Sequence, residues 1–191
     1  MSPANAKLNA FPVFLRVDGE AVAIVGNGEE ALAKARLLAQ SNATLRIIAD
    51  NADPELLNFI ATAGAVHVDV AYDAAHLEDA AMVFAASGDE ALDRRVVEDA
   101  RRLGIPVNAV DRPELCDFFT PALVNRAPVA IAIGTEGAGP VLAQLLRVRI
   151  DRMLSPSLGR LAALAGRPAK KSLQNWRRRL PFGSRSAAVR N

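Results

Sequence analysis

Three short stretches of this chain carry residue types at spacings that could do chemistry. The first is Gly26-Asn27-Gly28-Glu29-Glu30-Ala31, a G-x-G-x-x-A run. Here Gly26 permits a tight turn, Gly28 lets an anionic group approach the backbone, and Ala31 lets a helix and a strand pack closely. Ala21 to Val25 before the run reads as a buried strand, and Glu29 to Gln40 after it as a helix whose first N–H groups would face a phosphate. An acid about 20 residues on is what such a motif asks for at ribose hydroxyls. Asp50 stands there, ending the run Thr44 to Ala49. Its carboxylate can accept from a free 2′-hydroxyl and repels a 2′-phosphate, so the pattern predicts a dinucleotide site that favours NAD over NADP. Arg46 lies inside the strand pattern and Asn51 follows the acid, so no arginine waits for a phosphate. The competing reading is an ordinary strand-turn-helix followed by a solvated loop acid.

The second stretch is Val107-Asn108-Ala109-Val110-Asp111, a strand that stops at a carboxylate and is followed by Arg112-Pro113. Ligands on open α/β sheets bind outside the carboxyl ends of strands. There, a buried carboxylate beside a nicotinamide could take a proton while hydride leaves. The alternative for Asp111 is a turn-forming or capping aspartate before proline. The third stretch is Ala130 to Leu146. A strand Val129 to Ile133 leads into Gly134-Thr135-Glu136-Gly137-Ala138-Gly139, and Pro140 opens a helix at its favoured first position. The loop suits a phosphate or a carboxylate at a helix N-terminus, although Glu136 works against an anion there. A plain strand-helix connection is the other reading.

The elements that must position these residues alternate. Phe11 to Val17 is a short apolar segment, Pro54 to Ala63 a helix and Ala65 to Val70 an alternating strand. Ala80 to Ala86 has no polar residue, as a parallel strand buried on both faces requires. Asp89 to Leu103 places Leu92, Val96, Val97, Ala100 and Leu103 on one helical face, and Ile105 to Val110 is the next strand. Strands alternating with helices predict an α/β fold, a Rossmann-like parallel sheet with right-handed crossovers.

Composition narrows the class. Cys116 is the sole cysteine among 191 residues, which excludes a disulfide scaffold and any C-x-x-C metal site. The two histidines, His67 and His76, have no ligand spacing, so no resident metal site is expected. The start MSPANAKLNAF has no signal-peptide core and no apolar run approaches a membrane span. The expected compartment is the cytoplasm, with no membrane partner. Net charge is +2, yet residues 1–146 carry 11 Lys/Arg against 20 Asp/Glu, and residues 147–191 carry 12 against 1. Such a basic block meets polyanions, or is a solvated tail. Residues 147–191 show no aromatic-and-basic RNA motif and no clear recognition helix, so nucleic acid is not an expected partner. From Pro181 to Asn191 the chain reads as frayed.

Taken in order, VGNGEEALAKARLL and NAVDRPELCDFFTPALVNRAPVAIAIGTEGAGPVLAQLLR resemble the N-terminal half of siroheme synthase. The same module exists as a stand-alone precorrin-2 dehydrogenase/sirohydrochlorin ferrochelatase. The resemblance runs from about Phe11 to Ala165, through Val25, Gly26, Gly28, Lys34 and Ala35, then Asn108, Val110 and Asp111, then Phe118 and Pro121, then Pro140, Leu142 and Ala143. It implies NAD-dependent oxidation of precorrin-2 to sirohydrochlorin, followed by insertion of Fe²⁺, a substrate, to give siroheme. It further implies that Asp111 is the general base of both steps and that Gly26, Gly28, Glu29, Glu30, Asp50 and Asn51 hold NAD. Thr135 and Gly137 fall in the substrate loop, Thr135 where some members carry a serine that can be phosphorylated. The implied tetrapyrrole bears eight carboxylate arms, a reason for the basic block and for arginines such as Arg147, Arg149 and Arg152. The family loop usually reads like S-T/S-G-G-x-S-P; here two serines have become glycines and a glycine has become Glu136.

The resemblance divides the chain into an NAD-binding Rossmann domain (1–113), a dimerisation segment (114–149) and a small helical, basic domain (150–191) whose helical part runs from Pro156 to about Arg179. It implies a homodimer. The methyltransferase half of full siroheme synthases is missing, so the chain is either a stand-alone enzyme or a fragment. Two alternatives remain open: a dehydrogenase that has lost chelatase activity, for which the altered loop argues, and an NAD-sensing binding module.

Overall fold

Val22 to Val25 carry no polar side-chain atom, so this segment is stable only where both faces are covered. It forms the centre of a five-stranded parallel sheet, in a computed structural model that describes residues 7–166. The strands are β1 (Ala21–Val25), β2 (Thr44–Ile48), β3 (Val66–Val68), β4 (Ala80–Ala85) and β5 (Val107–Ala109), in the order β3-β2-β1-β4-β5. Helices α1 (Gly28–Leu38) and α2 (Pro54–Ala63) follow β1 and β2, and α3 (Glu90–Arg102) follows β4. The order reverses between β1 and β4, which makes their carboxyl ends the switch point of the sheet.

The two faces of the sheet have separate cores, because successive side chains of a strand point to opposite faces. Val22 and Ile24 pack with Ala31, Leu32, Ala35, Leu56 and Phe84 under α1 and α2. On the other face, Ala23 and Val25 pack with Val83, Val96, Val97 and Ala100 under α3. The Rossmann-like α/β expectation is met, with shorter elements at its margins. The first helix begins at Gly28, capped by Asn27, and ends at Leu38 instead of Gln40. The strand predicted over 65–70 keeps only Val66–Val68, because among the described residues it is an edge strand paired with β2 alone. That over 105–110 keeps Val107–Ala109. Phe11 to Val17 forms no strand, and Phe11, Val13 and Phe14 are exposed.

Beyond the sheet the chain forms an antiparallel hairpin, β6 (Ala122–Arg126) with β7 (Val129–Ile133), then α4 (Pro140–Met153) and α5 (Leu158–Gly166). Of these, β6 carried no sequence signal. Arg126 joins the hairpin to α4 through an ion pair with Asp151 at 2.9 Å. Gly159 seats α5 on the hairpin turn, where a Cβ would lie 2.1 Å from the Ala127 carbonyl oxygen. The remainder of the expected helical basic domain, residues 167–191, lies outside the described residues.

A fully buried carboxylate holds the carboxyl ends of β4 and β5 together. Asp93 accepts from the Ser87 backbone N–H at 3.1 Å and the Ser87 hydroxyl at 2.6 Å, and pairs with the Arg112 guanidinium. A charge that is inaccessible to water survives only with such partners. Asp93→Ala is therefore expected to cost about 3 kcal/mol by leaving Arg112 and Ser87 unmatched. Denaturant unfolding checks this; a loss below about 1 kcal/mol would refute the account.

Candidate functional site

The glycine turn sits where β1 and β4 end side by side. Gly26 has φ +139°, and a Cβ there would lie 2.1 Å from the Ala86 carbonyl oxygen, so no other residue allows the approach. Gly28 is needed for its left-handed φ of +80°; the nearest atom to a Cβ there is Asp53 Oδ2, at 3.5 Å. Between them Asn27 ties two loops together. Its Oδ1 accepts from the N–H groups of Gly28 and Asp53, both at 2.8 Å, and its Nδ2 donates to the Asn51 carbonyl at 3.1 Å. Asn51 lies at φ +54°, donates through its backbone N–H to Asp69 and through its side chain to Asp50 Oδ1.

Asp50 is exposed beyond the end of β2, Glu29 is exposed and Glu30 is half-buried. The sequence reading of Arg46 is supported: its guanidinium donates to the carbonyls of His76 and Glu78 at 2.9 Å each. The parts suit a dinucleotide: a turn only glycine can make, a helix N-terminus beside it, and an exposed carboxylate just beyond the end of the neighbouring strand. Asn27 is the residue that sequence reasoning passed over; its cue was an N-cap type inside the glycine run.

Asp111, Thr135 and Gly137 form a separate group. They line a groove of about 630 Å³ that runs from the end of β5 to the loop before α4. Asn108, nearly inaccessible, donates to the Phe118 carbonyl at 2.8 Å and so pins the chain leaving β5. Phe118 in turn packs edge-on against Phe84, centroids 5.4 Å apart. Asp111 occupies the turn after the strand at φ +58°. The turn-forming reading is met by that backbone, and the same carboxylate lines the groove. The burial that the proton-abstraction reading called for is absent, because Asp111 is exposed.

Thr135 accepts from the Gly139 N–H at 3.3 Å, within the loop itself. Glu136 (φ +51°) takes the N–H groups of Asn9 and Ala10, at 2.7 and 2.9 Å, and the Asn9 side chain at 2.8 Å. These donors, Ala10 foremost, hold its carboxyl below the usual carboxylate range, so the charge that weighed against anion binding has partners of its own. Of the three arginines on α4, Arg147 lines the groove; Arg149 and Arg152 do not. Lys34, noted in the sequence only as part of a pattern, also lines the groove. Burial pushes its amine down, opposed by the charges of Asp111, Cys116 and Glu30.

A His67 ring nitrogen lies 3.0 Å from the Ala49 carbonyl, and His76 accepts from the Asp73 N–H. Among the described residues no three His, Cys, Asp or Glu side chains converge as metal ligands, and no helix is long and apolar enough to cross a membrane.

The fold and the glycine turn define a dinucleotide-binding α/β protein. A family model described as NAD(P)-binding matches residues 13–122, more than half of the chain, and the chain belongs to that family. It is 38% identical over 159 residues to the siroheme synthase of Psychrobacter cryohalolentis, which covers 83% of this chain and 30% of that protein. To the siroheme synthase of Azotobacter vinelandii it is 39% identical over 178 residues, 92% of this chain and 38% of the relative. To that of Pseudomonas fluorescens it is 41% identical over 156 residues, 82% and 34% respectively. The chain thus spans about a third of the length of these curated relatives, and corresponds to their N-terminal module. The solved structure of SirC, precorrin-2 dehydrogenase, shares the fold: TM-score 0.71 at 20% identity, covering 81% of this chain and 76% of that one.

Asn27→Ala removes the cap of α1 and the bonds that place Asn51. We expect about 1 kcal/mol lower stability and NAD binding weakened several-fold. Titration calorimetry with NAD tests this; unchanged affinity would separate Asn27 from the cofactor loop.

Proposed function

We propose that this chain oxidises precorrin-2 to sirohydrochlorin with NAD and then inserts Fe²⁺, its second substrate, to give siroheme. One observation supports this most: Asp111 lies in a groove at the carboxyl end of the sheet, two strands from the glycine turn. Two strand spacings are about 10 Å. A dinucleotide laid across the switch point, its adenosine ribose at Asp50, would direct its other half toward β4 and β5. The siroheme synthase relatives support the same reading.

Gly26 and Gly28 would admit the pyrophosphate, with the N-terminus of α1 facing it. Asp50 would accept from the ribose hydroxyls and Asn51 would keep that carboxylate in place, hence NAD in preference to NADP. NAD, when bound, accepts hydride. Asp111 would take the proton that leaves the macrocycle with it, and in the second step the protons of the two pyrrole N–H groups displaced by Fe²⁺. Its exposure suits that duty, since each proton must then pass to water. A dehydrogenase without chelatase activity is the second reading, favoured by the two glycines and Glu136 in the loop before α4.

Anaerobic incubation with precorrin-2 and NAD, followed by Fe²⁺, distinguishes these in the visible spectrum. Sirohydrochlorin and then siroheme, each faster than without protein, is the expected outcome. Sirohydrochlorin alone would leave the dehydrogenase, and no oxidation would turn the reading toward an NAD-sensing binding module. Asp111→Asn is expected to lower both rates at least 100-fold with NAD binding retained; undiminished turnover would remove Asp111 from the mechanism.

We also infer a homodimer formed through the segment after the sheet. Val141, Leu142, Leu145 and Met153 of α4 and Leu161 and Leu164 of α5 are exposed apolar side chains. β7, meanwhile, pairs only with β6 among the described residues. Exposed apolar area of this kind marks an interface. Sedimentation equilibrium at micromolar concentration should give twice the chain mass; a monomer would refute the pairing.

A further inference from the structure

Three cationic side chains line the groove that holds Asp111: Lys34, Arg112 and Arg147. They differ in what else they do. Arg112 is engaged by the buried carboxylate of Asp93. Arg147 donates to Gln144, which also lines the groove. Lys34 is half-buried, and its one hydrogen-bond partner among the described residues is the Thr120 hydroxyl at a long 3.4 Å. No carboxylate among those residues comes within ion-pair distance of its Nζ. Glu30, one helical turn earlier, does not pair with it, and its own Oε2 has no partner among the described residues.

An ammonium has three donors and no acceptor, so at least two N–H groups of Lys34 remain unassigned. A cation drawn partly out of water without a counter-charge is unfavourable. On this helix the cost is avoidable. Lys34 directly precedes the inaccessible Ala35 and lies one turn after the inaccessible Ala31, so an uncharged side chain would carry no such cost there. The geometry points to a counter-charge that arrives with a ligand. Asp111 and Cys116 line the same groove, and the charge of Asp111 opposes the effect of burial on the amine. An anion bound at Lys34 therefore sits beside the carboxylate assigned to proton transfer.

We propose that Lys34 is the groove's substrate anchor, receiving one carboxylate arm of the macrocycle so that the carbon to be oxidised faces Asp111. This rests on the reading of the substrate as a polycarboxylate tetrapyrrole. A charge-assisted ammonium–carboxylate bond in a partly dehydrated groove is stronger than its counterpart in water. It also places α1 in two roles: its N-terminus toward the cofactor, and its second turn toward the substrate.

The test uses the full chain with Lys34→Met and Lys34→Arg variants. Its readouts are precorrin-2 turnover with saturating NAD, NAD affinity, and direct binding of sirohydrochlorin followed by its own fluorescence. Lys34→Met should raise the KM for precorrin-2 and the Kd for sirohydrochlorin on the order of tenfold or more. NAD affinity should stay within twofold and kcat should change far less than KM. Lys34→Arg should recover most of the binding, since it restores the charge. Substrate and sirohydrochlorin affinities within twofold of the parent in Lys34→Met would overturn the assignment. So would a fall in kcat with binding intact, which would place Lys34 in the chemistry and not in anchoring. If the parent chain itself neither oxidises precorrin-2 nor binds sirohydrochlorin, the proposed function fails, and the anchor fails with it for that separate reason.

Discussion

Everything in this molecule depends on how closely the carboxyl end of β1 lies against that of β4. At Gly26 the two backbones approach so nearly that the smallest side chain would overlap the Ala86 carbonyl oxygen. Because Gly26 has none, β1 can pair with β4 on one side and β2 on the other while its chain turns sharply into α1. The order of the sheet reverses at that point, and a crevice opens there with a helix N-terminus on its wall. The Asn27 side chain then links this turn to the loop carrying Asn51 and Asp53. One contact of backbone on backbone thus sets the place of the proposed dinucleotide site and of Asp50 beside it.

A second constraint operates two strands away and is electrostatic. Asp93 is inaccessible to water, and it is tolerated because Ser87 and Arg112 satisfy it. The pairing locks the loop after β4 to the turn after β5, and that turn presents Asp111 to the groove. Arg112 is therefore structural although it lines the site, whereas Lys34, drawn into the groove without a matching carboxylate, is chemically available. Glu136 follows the same logic in reverse, its charge met by backbone donors of residues 9 and 10. Which charged groups can act on a ligand depends on which are already matched.

The elements after the sheet have a different economy. The hairpin packs α4 on one side and seats Gly159 of α5 at its turn, but α4 and α5 leave large apolar side chains in water. A two-stranded hairpin with a helix on one face has too little core to hide them all. The exposed face argues that this part is completed by another surface, in keeping with the homodimer proposed above.

The sequence by itself was enough for the sheet, its three flanking helices and the glycine turn. Each rests on local rules: apolar runs for strands covered on both faces, a 3.6-residue period for α3, proline at the start of α2, and glycine where φ is positive. It also placed Asp50 and Asp111, since both stand at strand ends, and the order of motifs indicated the family. Tertiary structure alone decided the rest. It showed that Asp111 is exposed. That Arg112 belongs to Asp93, that Glu136 binds the backbone at residues 9 and 10, and that Lys34 shares a groove with Asp111 are relations between residues 19 to 127 positions apart. The strand β6 was invisible for a related reason, because its pairing with β7 and its packing under α4 carry it more than its own pattern does. A carboxylate or an amine reads the same in a sequence whether matched or free, and only the folded chain shows which partner each one has.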